Sequence, residues 1–79
     1  MTEPKSMNDF LLDFQKLLSV DNAVTSETLL ESLPEWDSMA IMVCIAYFQE
    51  TFGVRTRFKQ YGALRTVGDV ADLAGRPLP

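Results

Sequence analysis

The stretch Asp37-Ser38-Met39-Ala40-Ile41-Met42-Val43-Cys44-Ile45-Ala46-Tyr47-Phe48-Gln49-Glu50-Thr51-Phe52-Gly53 decides how the rest of the chain is read. Asp37 and Ser38 both carry oxygens that satisfy the open N–H groups of a helix start, and an apolar-rich run follows at once. Ile41, Cys44, Ile45, Phe48 and Phe52 recur at helical spacing and share one face. Gly53 then ends the helix, because glycine takes the left-handed conformation of a C-cap without steric cost. Met39, Met42, Val43, Ala46 and Tyr47 form a second apolar stripe, more than one small bundle can bury along with the first. Some of it is expected at the surface, where methionine adapts to differently shaped contacts.

Upstream, Met7, Phe10, Leu11, Phe14, Leu17 and Leu18 predict another amphipathic helix over about Ser6 to Leu18, with Ser6 as N-cap and Asp9 three residues on. Ser19 to Asp37 reads as a long connection. Pro34 blocks any helix through it, Val24, Leu29, Leu30 and Leu33 serve as apolar anchors, and Glu27–Leu30 supplies a short helix. Trp36, directly before the second helix, is expected to pack on the bundle. Downstream, Phe58, Tyr61 and Leu64 suggest a short turn weakened by Gly62. Thr66 with Asp69 caps a last short helix through Val67, Val70, Leu73 and Ala74, ended by Gly75. No segment alternates in the manner of a strand. The fold class implied is all-α: a small three- to four-helix antiparallel bundle.

Seventy-nine residues leave room for one domain only, spanning 1–79 with its core at about 7–75. Residues 1–5 and 76–79 read as loose termini. The composition, 47% hydrophobic and 23% charged, is that of a chain that folds. The absence of histidine excludes a self-contained Ser-His-Asp hydrolase, and the lone Cys44 excludes an internal disulfide and a Cys/His zinc site. No metal is expected, and Cys44 reads as an inert core thiol. No run is long enough to span a membrane and the N-terminus lacks a secretory layout, so the expected location is the cytoplasm. The net charge of −4 is unevenly spread. Residues 1–54 set two lysines against nine carboxylates, for −7; residues 55–79 set five cations against Asp69 and Asp72, for +3. An acidic body gives little weight to nucleic-acid binding through Arg55, Arg57 and Lys59, whose simplest role is a solvated surface.

Pro34-Glu35-Trp36-Asp37-Ser38-Met39 resembles the Asp-Ser-Leu signature of the acyl and peptidyl carrier protein family. The amphipathic first helix, the long loop, the Phe52-Gly53-Val54 exit and Thr66-Val67-Gly68-Asp69-Val70 fall where that family places its parts, so the likeness runs over roughly residues 7–75. The resemblance implies an acyl-carrier-like bundle in which Ser38 receives 4′-phosphopantetheine from coenzyme A through a phosphopantetheinyl transferase. It implies that Asp37 caps the helix and contributes to recognition by the transferase. The arm's thiol would then carry a thioester between an acyl- or aminoacyl-loading enzyme and downstream condensing or transferring enzymes. Such a protein is a carrier, expected as a monomer, with no catalytic residues and no turnover of its own.

A serine at a helix start is, in isolation, most simply a cap; the whole-chain likeness turns the reading toward attachment. Met39, Met42, Val43, Ala46, Tyr47 and Glu50 are the expected partner-binding residues. Carriers of fatty-acid synthesis usually line this side with carboxylates, whereas Ala40, Val43 and Gln49 leave Glu50 alone here. That thinning, with the basic segment after Gly53, points to a specialised pathway: polyketide, nonribosomal peptide or another secondary-metabolite route. The rival reading is a noncatalytic helical adaptor of the same fold that is never loaded.

Overall fold

Ser6 opens the first helix as its sequence requires. Its hydroxyl accepts from the Asp9 N–H at 3.1 Å while the Asp9 carboxylate accepts from the Ser6 N–H at 3.2 Å, a reciprocal capping box. The computed structural model describes residues 6–75 and 77–79. Helix α1 spans Met7–Leu18, α2 Ser38–Phe52, α3 Phe58–Tyr61 and α4 Val67–Ala71, with 3-10 turns at Leu30–Ser32 and Asp72–Ala74. Among the described residues there is no strand, only one isolated bridge between Leu29 and Thr66. The chain is therefore a small all-α bundle.

The expected stripe of α1 faces inward: Phe10, Phe14 and Leu18 are buried, with Met7, Leu11 and Leu17 packed beside them. On α2 the inward line is Ala40, Cys44 and Phe48, rotated toward Ala40 from the face the spacing predicts; Ile41, Ile45 and Phe52 flank it half-buried. Gly53 closes α2 at φ +69° with its N–H on the Gln49 carbonyl, as a C-cap glycine should. A run of rings ties the elements together. Phe48 stacks on Phe10 at 6.0 Å between centroids, Phe10 meets Phe14 at 5.9 Å, Phe14 meets Trp36 at 6.0 Å, and Trp36 meets Tyr61 at 6.2 Å. Trp36 is thus the loop anchor that its position predicts.

The downstream part resolves into α3 and α4. Tyr61 is buried, its hydroxyl paired with Thr56 Oγ1 at 2.8 Å, and burial pushes the phenol up to about 12. Thr66 and Asp69 form the expected capping box of α4. The Asp69 carboxylate accepts from the Arg65 and Thr66 N–H groups at 3.0 and 3.1 Å, which hold it below the usual carboxylate range.

Two expectations need correction. Glu27–Leu30 forms no helix: the 3-10 turn begins at Leu30, because residues 28–30 are pulled out to pair with residues 65–67. Leu30 N–H donates to Arg65 C=O at 2.8 Å, Val67 N–H to Thr28 C=O at 2.9 Å and Gly68 N–H to Ser26 C=O at 2.8 Å. Leu29 sits in this pairing 46% exposed, whereas Val24 and Leu30 are buried as expected, Leu33 packs against the core, and Val20 is a further buried anchor. The C-terminal end is also tied down: Leu78 packs against the core and Pro79 C=O accepts from Met7 N–H at 2.7 Å. Residues 1–5 and Arg76, part of the expected loose ends, lie outside the described residues.

Gly68 makes this pairing possible. A Cβ there would stand 2.8 Å from the Ser26 carbonyl oxygen and 3.2 Å from Ser26 Cβ. Helix propensity alone would favour alanine by roughly 1 kcal/mol. The clash with backbone reverses that sign, since relieving it breaks the Gly68–Ser26 bond and leaves polar groups short of partners. Gly68→Ala is expected to destabilise by about 1–3 kcal/mol in urea unfolding; a gain in stability would show that the loop yields at no cost.

Candidate functional site

Asp37, in extended backbone, caps α2: its Oδ1 accepts the Ala40 N–H at 2.9 Å and its carbonyl accepts the Ile41 N–H at 3.1 Å. Asp37 therefore does the work that either residue could have done. Ser38 becomes the first helical residue, exposed, and its hydroxyl makes no hydrogen bond among the described residues. The Ser38 and Met39 N–H groups likewise find no acceptor there, as expected in a first helical turn.

The position of Ser38 is set from both sides. Trp36, two residues before it, is wedged between Phe14 and Tyr61, and Ala40, two residues after it, is buried against the core at 6% exposure. The side chain between these points is held outward on a fixed backbone. Two open amides and the positive end of the helix dipole favour an anionic oxygen near Ser38 by ~0.3–1 kcal/mol. The Asp37 carboxylate beside it works in the opposite sense. No histidine exists, and the nearest carboxylate in sequence is committed to Ala40, so the hydroxyl is an ordinary alcohol that needs an external base to react.

A surface groove of about 280 Å³ adjoins this point, lined by Leu17 and Leu18 of α1, by Met39, Ala40 and Val43 of α2, and by Glu35 and Asp37. Glu35 Oε1 is buried without a hydrogen-bond partner among the described residues. Glu35 and Leu17 were not legible as site residues, because the groove arises from how α1 and the loop meet α2, and periodicity within one helix does not report that.

The expected partner-binding residues divide. Met39 and Met42 are 68% and 60% exposed, and Ala46 and Glu50 are exposed on the same side. They form one line down α2 from Ser38, directly opposite Ala40, Cys44 and Phe48. Val43 is half-buried on the flank, beside the groove. Tyr47 has a different place: its hydroxyl donates to the Asp13 carboxylate at 2.8 Å and its ring stands edge-on to Phe48 and Phe52 at 5.5 and 5.9 Å. It joins α2 to α1 and is only half exposed, because the rotation of α2 toward Ala40 carries Tyr47 inward with it. Ala40, placed on the outer side by the resemblance, is core for the same reason.

Cys44 is 1% exposed and its thiol is pushed up to about 12 by burial, so it is unreactive in the folded chain. No group of three or more His, Cys, Asp or Glu side chains among the described residues is arranged to hold a metal ion, and no described helix is long and apolar enough to cross a membrane. Comparison with protein-family models, with curated proteins and with solved structures found no match to this chain.

Proposed function

We propose that this chain is a stand-alone acyl or aminoacyl carrier of a specialised biosynthetic pathway, acyl-carrier-like in fold, with 4′-phosphopantetheine attached at Ser38. The observation that carries the reading is the exposed Ser38 hydroxyl, without a hydrogen bond among the described residues, on a backbone anchored by Trp36 and Ala40. The residues fit the group. An outward hydroxyl is reachable by a transferase while the bundle stays folded, the two open amides suit a phosphodiester oxygen, and the groove beside Met39 and Val43 offers apolar surface along an arm's path. When bound, the arm supplies a terminal thiol for thioester chemistry. Ser38 contributes the attachment oxygen, Asp37 keeps the helix start in register, and activation of the hydroxyl falls to the transferase. The carrier itself turns nothing over, acts in the cytoplasm and works as a monomer.

The test is mass spectrometry of the purified chain after incubation with coenzyme A and several broad-specificity phosphopantetheinyl transferases. A gain of ~340 Da mapping to Ser38 is expected. No gain with any of them would leave the adaptor reading in its place.

In this reading the exposed line Met39, Met42, Ala46 and Glu50 meets partner enzymes, largely through apolar contact. Met42→Glu should reduce acylation of the loaded carrier by about tenfold or more, equivalent to ~1.4 kcal/mol of lost binding, with thermal stability changed by under ~0.5 kcal/mol because the side chain faces solvent. Unchanged acylation kinetics would remove this face from the docking surface. Tyr47 is unsuited to the same test, since a charge there would break its bond to Asp13.

A further inference from the structure

After Gly53 the chain runs outside any helix to Arg57, whose backbone is extended, before turning into α3, and burial alternates along it. Thr56 is buried at 8% exposure, its hydroxyl locked to Tyr61. Arg55 and Arg57, on either side of it, are therefore turned to solvent, and both are exposed. The Arg57 backbone N–H is satisfied by Gln60 Oε1 at 2.7 Å, which fixes the turn without using the guanidinium. Lys59 follows, exposed, and between Arg57 and Lys59 stands Phe58, a large apolar side chain left 48% exposed although it opens α3. None of Arg55, Arg57 and Lys59 forms a hydrogen bond or ion pair through its side chain among the described residues, in a chain that elsewhere carries an excess of carboxylates.

Three cations unpaired among the described residues, around an exposed ring, form a surface that solvates its charges but gains nothing for Phe58. We propose that Arg55, Arg57, Phe58 and Lys59 form a docking surface for a partner protein presenting carboxylates around an apolar recess, with Phe58 as the buried anchor and the cations pairing at the rim. Charge complementarity selects that occupant. A phosphate backbone would meet the same cations but also a body of −7 over residues 1–54, and its binding grows with the number of cations contacted, which is small here. A membrane surface would need a long amphipathic helix, and α3 has four residues. The surface is independent of Ser38, so it stands or falls apart from the carrier reading.

The experiment is a titration of the isotope-labelled chain, followed by amide chemical shifts at ~50 mM salt, where exposed charges are weakly screened. The probe is a short synthetic peptide of glutamates flanking a single leucine. Shifts concentrated in residues 54–61 are expected. The Arg55→Ser, Arg57→Ser, Lys59→Ser triple variant should bind about tenfold or more weakly, Phe58→Ala several-fold more weakly, and Ser38→Ala as tightly as wild type. Replacing the peptide's glutamates by serines should abolish the effect. The proposal is overturned by an absence of shifts at 54–61, by equal binding of the triple variant, or by tighter binding of an oligothymidylate than of the peptide. The last outcome would assign the surface to nucleic acid.

Discussion

Ser38→Ala is expected to lose the whole mass gain on incubation with coenzyme A and transferase, while its unfolding curve stays within ~0.5 kcal/mol of wild type. Both halves follow from the same geometry. The hydroxyl makes no hydrogen bond among the described residues and is exposed, so removing it should cost the fold little, and alanine suits the first turn of a helix. Asp37→Ala supplies the contrast. It deletes the acceptor for Ala40 N–H, should cost about 1 kcal/mol of stability as lost caps do, and should slow loading without abolishing it. If modification persisted on Ser38→Ala, at Ser26 or Ser32 for instance, the assignment of position 38 would be wrong however clean the stability data.

Phe48→Ala is expected to be among the most damaging single changes. Phe48 is fully buried and its ring lies 6.0 Å from Phe10, 5.5 Å from Tyr47 and 5.7 Å from Phe52, at the joint between α1 and α2. Truncations of this kind cost about 3–5 kcal/mol, because the cavity closes only in part. A domain of this length holds roughly 4–12 kcal/mol in total, by the usual per-residue stability. A quarter or more of that should vanish, read as a drop in the urea midpoint followed by Trp36 fluorescence. A loss below ~1 kcal/mol would mean that the run of rings from Phe48 to Tyr61 does not bear on stability. Phe58→Ala, in a half-exposed position, should change the midpoint little.

The parts of this structure that sequence made legible are those written in local chemistry. The boxes Ser6/Asp9 and Thr66/Asp69, the glycine stop at Gly53 and the inward stripe of α1 all rest on residues within about one helical turn of each other, and all are present. What failed depends on elements distant in the chain. The stretch 28–30 looks helical by itself, but the backbone groups of residues 65–67 pair with it and draw it out. The apolar surface of α2 has two faces of similar strength, so periodicity cannot decide which one α1 covers; packing chose Ala40 and carried Tyr47 inward. At the candidate site, residue type left the cap open between Asp37 and Ser38; the resemblance assigned it to Asp37, where the structure has it. The groove beside them and Glu35 Oε1, unpartnered among the described residues, were not legible, since neither belongs to one segment.

The backbone bonds joining residues 26–30 to residues 65–68 also bear on how quickly the chain reaches its native state. Most helical bundles close short loops and fold within microseconds to milliseconds. Here about half the chain must be gathered before those bonds can form, and the entropy of closing so large a loop is lost before any contact compensates for it. A molecule that is helical by content therefore carries a kinetic burden closer to that of a small mixed α/β domain.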